Sequence, residues 1–155
     1  MDDDIAGALV AFFTEEDWPA VYDANAGHFV IRFQGSQAQW TCLAYPLEED
    51  SQFVFYSIAP VFADAAHRPA VAEFLMRANY GLVLGNFEMD YSDGSIRYKT
   101  SIDAAGAELT NDLVRPVVHA NVQAMDRYLP GLMLVLADGA SPEEAIAVCE
   151  RPADD

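Results

Sequence analysis

Lysine occurs once in this chain of 155 residues, at Lys99, and seven arginines are its only company against 25 aspartates and glutamates. The formal net charge is −17, so no basic stripe is on offer to nucleic-acid phosphates or to an anionic membrane. Cysteine is nearly as scarce. Cys42 and Cys149 stand far apart with no CxxC, which removes zinc-ligand and thioredoxin-type spacings and suits two small hydrophobes in a reducing compartment. No apolar run reaches transmembrane length, and Met1-Asp2-Asp3-Asp4 has the opposite charge to a signal-peptide start, so a cytoplasmic location is expected. Signatures of chemistry are missing as well. Gly81-x-x-x-Gly85 has no Gly-Lys-Ser/Thr after it, and no serine sits in GxSxG. Asp90-x-Ser92-x-Gly94 puts glycine one position too early for a calcium loop, with Ser101 where the bidentate glutamate belongs. His28, His67 and His119 fall on three different elements without ligand spacing. The carboxylate runs 15–17 and 48–50 read as solvated loops with no histidine or apolar wall beside them. The residues therefore disfavour an enzyme, a metal site and a cofactor.

What is present is a core. With 52% hydrophobic residues, nine of them phenylalanine, the chain can bury one compact domain over 1–155. Ile5, Leu9, Phe12 and Phe13 recur at helical spacing behind Asp2, Asp3 and Asp4, predicting a helix over 4–14 with an acidic, capped start. Three strands follow. Over 28–34, Phe29, Ile31 and Phe33 share one face, and His28, Arg32 and Gln34 the other. Over 38–45, Trp40 and Cys42 oppose Gln39, Thr41, Leu43 and Tyr45, and Pro46 ends the strand. The stretch 52–59 is apolar on both faces, as a central strand would be, or one whose second face meets another molecule. A helix opening at His67-Arg68-Pro69 buries Val71, Phe74, Leu75, Ala78 and Leu82 and leaves Glu73 and Arg77 in water.

The stretch 79–102 reads as a hairpin turning at Asp93-Gly94, the pair that suits a two-residue type I′ turn. That turn sets Met89 opposite Tyr98, Tyr91 opposite Ile96, Asp90 opposite Arg97 and Glu88 opposite Lys99. A helix over 110–129 carries Asp112, Arg115, His119, Gln123 and Asp126 on its polar arc. Its apolar arc spans about 200°, wider than one sheet contact needs. Such a helix is sandwiched inside the monomer or between subunits, and Val114, Val118, Asn121 and Met125 are the candidate dimer interface. Asn121 has a second explanation, a core amide bonded to backbone. Pro116 kinks this helix or marks its start, and Pro130-Gly131 is expected to break it ahead of a short buried segment over 132–137. Ser141-Pro142-Glu143-Glu144 has the residues of an N-cap and capping box, opening a last helix to about 150 and then a frayed tail. The order α-β-β-β-α-β-β-α-α predicts an α+β fold: an antiparallel sheet of about five strands with helices packed on it.

Several of these stretches, in this order, resemble the YbjN family. They are Asn79 at a helix end, Gly85-x-Phe87-x-Met89-Asp90, the Asp93-Gly94 turn, Ile96-x-Tyr98, Tyr128-Leu129-Pro130 and Ser141-Pro142-Glu143-Glu144. The family consists of bacterial proteins with the type III secretion chaperone-like fold, and the similarity covers nearly the whole chain, with Pro116 a departure. The resemblance implies a small acidic cytoplasmic homodimer without catalytic residues, in a fold whose secretion chaperones hold an extended client segment against apolar patches. The expected function is a non-enzymatic, chaperone-like or regulatory module that binds a protein or peptide segment. The candidate partner-binding residues are Leu43, Tyr45, Phe53 and Phe55, joined by Val30 if helices do not cover both sheet faces. The competing expectation is a small-molecule-sensing domain with a pocket between sheet and helices, lined by Trp40, Phe55 and Tyr56.

Overall fold

The structure, a computed structural model, describes residues 4–152. In chain order it contains α1 (Ile5–Glu15), β1 (Ala20–Asp23), β2 (His28–Gln34), β3 (Gln39–Leu47), a 3-10 turn (Glu48–Asp50), β4 (Gln52–Phe62), α2 (Arg68–Asn79), β5 (Asn86–Met89), β6 (Ser95–Asp103), α3 (Asn111–Ala137) and α4 (Pro142–Cys149). The strands form one antiparallel sheet in the order β1-β2-β3-β4-β6-β5. This is the α+β architecture expected, with six strands instead of about five. The unexpected strand, β1, pairs with β2 across a turn that Asp23 closes by accepting from the amides of Asn25 and Ala26.

Strands β2, β3, β4 and β6 alternate in burial, so one sheet face builds the core. Phe29, Ile31, Trp40, Cys42, Phe53, Phe55, Tyr98 and Thr100 lie on that face and are buried. α3 crosses it over β4 and β6, α1 packs on β3, α2 closes the β5 side, and α4 packs on α2 and α3. The start of α1 is held twice. Asp4 accepts from Gly7 N at 2.6 Å, and the Glu48 carboxylate takes the free amides of Ile5 and Ala6 at 3.0 and 2.7 Å. A carboxylate on unpaired amides at a helix start satisfies both the donors and the dipole. Asp2 and Asp3, expected to contribute there, lie outside the described residues, as does the tail beyond Pro152.

Prolines and turns account for the remaining differences. Pro46 does not end β3. It sits opposite Phe53, beyond the last β2–β3 pair, Phe29 with Ala44, where only one side of the strand is laddered and a missing N–H is tolerated. β4 runs on to Phe62 through an irregularity after Ile58. α3 continues through both Pro116 and Pro130 for 27 residues. Pro130-Gly131 fails to break it because Leu129, Leu132 and Val135 are buried together, and because Gly131 brings α2 and α4 against the helix. A Cβ at Gly131 would stand 2.5 Å from Cys149 Sγ and 2.8 Å from the Phe74 ring. α4 opens with the expected capping box, Glu144 N donating to Ser141 Oγ and Ser141 N to Glu144 Oε2.

The hairpin register is two residues from the expected one. Phe87 faces Tyr98, Glu88 faces Arg97 and Met89 faces Ile96. A type I′ turn needs positive φ at both central residues, and of the Asp93-Gly94 pair only Gly94 has it, at +79°. Asp90 instead closes a longer loop: Gly94 N donates to its carbonyl at 2.7 Å, and its carboxylate takes Ser92 N and Oγ at 2.9 and 2.6 Å. Because the shift is even, no side chain changes face. Residues 80–85, expected within the first strand of the hairpin, precede β5 as irregular chain.

Candidate interaction surface

The sheet face away from the helices carries the other half of each strand. Val30, Leu43, Tyr45, Val54, Tyr56 and Ile58 lie there, half-buried among one another. Register makes them contiguous: Val30 is opposite Leu43 and Leu43 opposite Tyr56, while Tyr45 is opposite Val54. His28 meets Tyr45 edge-on at 4.7 Å between ring centroids, Tyr45 meets Tyr56 at 5.7 Å, and the Arg97 guanidinium lies 4.1 Å over the Tyr56 ring. A run of aliphatic and tyrosine side chains without a helix over it is the kind of surface that interfaces use.

Of the four expected partner-binding residues, only two reach this face. Leu43 and Tyr45 are on it, whereas Phe53 and Phe55 are 0% exposed and point into the helix side. Strand β4 is central, and its parity divides them: odd positions enter the core and even positions face out. The four expected dimer residues are enclosed too. Val114, Val118, Asn121 and Met125 are each 0% exposed, because α3 is sandwiched between the sheet and the chain's own α1, α2 and α4. They are core residues, with no surface to offer a second copy. Asn121 is the backbone-bonded core amide: its Nδ2 donates toward Phe55 O, Tyr98 O and Thr100 Oγ1 at 2.9, 3.0 and 3.1 Å. The expected small-molecule pocket is divided in the same way, since Trp40 and Phe55 are packed in the core while Tyr56 lies on the opposite face.

The charges on the open face were only partly anticipated. Glu88 joins two cations, accepting from Arg97 Nε at 2.8 Å and from Lys99 Nζ at 3.0 Å. Partial burial works to raise its carboxyl pKa, but the hydrogen bonds from Lys99 and Arg97 outweigh that and hold it below the ordinary value. One edge of the sheet is occupied. The Asn79 side chain accepts from Phe87 N at 2.6 Å and donates to Phe87 O at 3.1 Å, taking the place of a neighbouring strand along β5.

An apolar patch missed from sequence lies beyond that edge. Met76 is exposed on α2, and Tyr80 and Val83 are 95% and 94% exposed, with Leu84 beside them. Its signal is the uncharged run 80–86, which the hairpin expected over 79–102 absorbs into its first strand. Elsewhere, the carboxylate run 15–17 does have a histidine neighbour. Glu16 accepts from Arg115 Nε at 3.1 Å and lies 3.5 Å from His119 Nε2, while Trp18 stacks on the His119 ring. These contacts pin the end of α1 to α3. A depression of about 820 Å³ between α1 and the loop before α3 contains Asp4 and Glu48, both committed to the α1 cap. Cys42 is buried beside Ser57, whose Oγ accepts from Trp40 Nε1, and burial pushes its thiol pKa up to about 11. Among the described residues, no group of three or more His, Cys, Asp or Glu could hold a metal ion, and no helix is long and apolar enough to cross a membrane.

The helix-backed antiparallel sheet has the type III secretion chaperone-like fold. The crystal structure of YbjN from E. coli superposes with a TM-score of 0.56 at 9% identity, over 76% of this chain and 86% of that one. The crystal structure of the ExsC–ExsE complex contains a chain that superposes with a TM-score of 0.52 at 16% identity, over 82% of this chain and 97% of that one. No curated protein matches. The family model of YbjN, described as "Putative bacterial sensory transduction regulator", matches residues 6–133, and the chain belongs to that family.

Proposed function

We propose that this chain is a non-enzymatic, chaperone-like regulatory module whose open sheet face holds an extended segment of a partner protein. The observation that carries the reading is the contiguous face of Val30, Leu43, Tyr45, Val54, Tyr56 and Ile58, which no helix among the described residues covers. Family membership supports a regulatory role, and the ExsC–ExsE complex is a precedent for this fold beside a second protein. Each aliphatic or aromatic anchor is worth about 1.5–3 kcal/mol when fully buried, so a few anchors suffice for useful affinity after ordering costs. The whole chain acts as one unit, in a cytoplasm where two unpaired thiols persist. A tagged pull-down from native lysate tests the reading. Leu43→Asp and Tyr45→Asp should each lose the captured partner while keeping the wild-type unfolding transition. A partner retained at wild-type stoichiometry by both variants refutes it.

The module works as a homodimer in this reading, and the second copy meets Met76, Tyr80, Val83 and Leu84. Two chains of charge −17 repel, so close self-association needs a patch without carboxylates, and the run 80–86 has none. Sedimentation equilibrium should find a dimer that Val83→Asp dissociates. A wild-type monomer at every attainable concentration refutes this part.

A further inference from the structure

The open face is not charged like the rest of the molecule. Its strands carry Arg32, Arg97 and Lys99 against Asp23, Glu88 and Asp103, so the face is neutral in a chain of −17. Two of the three carboxylates lie at the margins and already accept hydrogen bonds. Asp23 accepts from Asn25 N and Ala26 N, and Asp103 from Ala105 N and Gln52 Nε2. The centre therefore holds two cations, Arg97 and Lys99, on the single carboxylate of Glu88, and no ion pair among the described residues involves Arg32. Lys99 and the far side of the Arg97 guanidinium retain donors.

Beside this cluster the sheet opens. Ile58 pairs with Arg97, but the next pair is Phe62 with Ser95, so three residues of β4 pass a single residue of β6. The strands part there, and a depression of about 570 Å³ forms, lined on the open face by Leu43, Ile58, Glu88, Ser95 and Arg97 and floored from the core side by Met89 and buried Ile96. Asp90 also borders it, but its carboxylate is turned onto Ser92. Alternate residues of an extended segment face the same way, about 7 Å apart, which matches an apolar socket next to a cation pair.

The geometry points to an acidic, aliphatic strand as the segment this face takes. One aliphatic side chain enters the depression over Leu43 and Ile58, and an aspartate or glutamate two residues away completes the ion cluster at Arg97 and Lys99. The inference rests on the proposed function and adds the chemistry of the partner: carboxylates next to aliphatic residues, despite the acidity of the whole chain. The two cations that share the carboxylate of Glu88 at the centre of the face, Arg97 and Lys99, select the sign.

Panning a random dodecapeptide phage library on the intact protein tests it. Enriched peptides should place Asp or Glu two residues from Leu, Ile or Val. Exchanging that acid for its amide in a synthetic copy should weaken binding roughly tenfold, as for a charge-assisted hydrogen bond. Arg97→Gln with Lys99→Gln should abolish the preference for acid while keeping the aliphatic one, and Lys99→Met alone should halve the effect or more if the double variant unfolds. Enriched peptides without an acid, or with Lys or Arg at that position, overturn the inference and leave the face reading standing. Peptides that bind Leu43→Asp as tightly as wild type, or no enrichment at all, overturn both.

Discussion

Replacing Asn121 by Ala tests how the sheet is tied to α3. The amide is fully buried and donates toward two main-chain carbonyls of adjacent strands, Phe55 O in β4 and Tyr98 O in β6, and toward Thr100 Oγ1, which itself donates to Val117 O at 2.7 Å. Leaving buried acceptors without their donor costs about 1–3 kcal/mol. The vacated amide volume adds about 1 kcal/mol, because a packed core relaxes only in part. The expected loss is therefore about 2–4 kcal/mol, or a fall in Tm of about 5–15 °C for a chain of this length. Urea unfolding at unchanged m is the assay. Asn121→Asp should cost more than Ala, since it sets an acceptor against three acceptors in a buried place. A loss below about 1 kcal/mol would refute the tie argued from these distances. A loss that grows on dilution would put this face of α3 between subunits, against the burial described.

Three further outcomes follow from the same packing. Gly131→Ala should destabilise by about 1–3 kcal/mol as an overpacked contact, and Cys149→Ala in the same chain should recover part of it; urea midpoints of the single and double variants read this. In the native protein at pH 8.5, iodoacetamide should modify half-buried Cys149 slowly and leave Cys42 unmodified, with the latter's thiol near 11; intact mass measured over time reports it. Glu88 has a lowered folded pKa, so its contribution is present above the ordinary glutamate value of about 4.3 and is lost as pH falls through the folded value. Glu88→Gln should flatten that acid limb of the stability curve, and a limb of unchanged slope would remove Glu88 as its source.

The elements legible in sequence are those whose signals are local. β2 has the bounds its alternation predicts, α2 starts at Arg68 with Pro69 tolerated in its first turn, and Ser141 with Glu144 forms the capping box. The misread elements depend on partners distant in sequence. Pro130-Gly131 stops an isolated helix, yet here Phe74 and Cys149 fill the space that Gly131 leaves, and packing outweighs one lost amide. Asp93-Gly94 looked like a two-residue turn until Asp90 supplied its side chain to a longer one. β1 has four residues and little alternation, and its clearest mark was the turn that Asp23 closes with its carboxylate.

The candidate surface was less legible than the fold, for a reason of symmetry. The stretch 52–59 alternates Phe53, Phe55 and Ser57 with Val54, Tyr56 and Ile58, and nothing in that pattern says which set the helices cover. Hydrophobicity favoured the phenylalanines as a binding surface, but the same property commits them to the core once α3 lies across β4. What remains outside is the more amphipathic set, tyrosine and branched aliphatics beside Arg97 and Lys99. Such a set can face water in the free protein and still gain from burial against a partner. The edges of the sheet narrow the choice further. Asn79 already occupies the main-chain groups of Phe87, so a partner strand cannot extend the sheet at that point of β5. A segment arriving on the β5 side of the molecule therefore finds side chains to bind, on the face, before it finds an unpaired backbone.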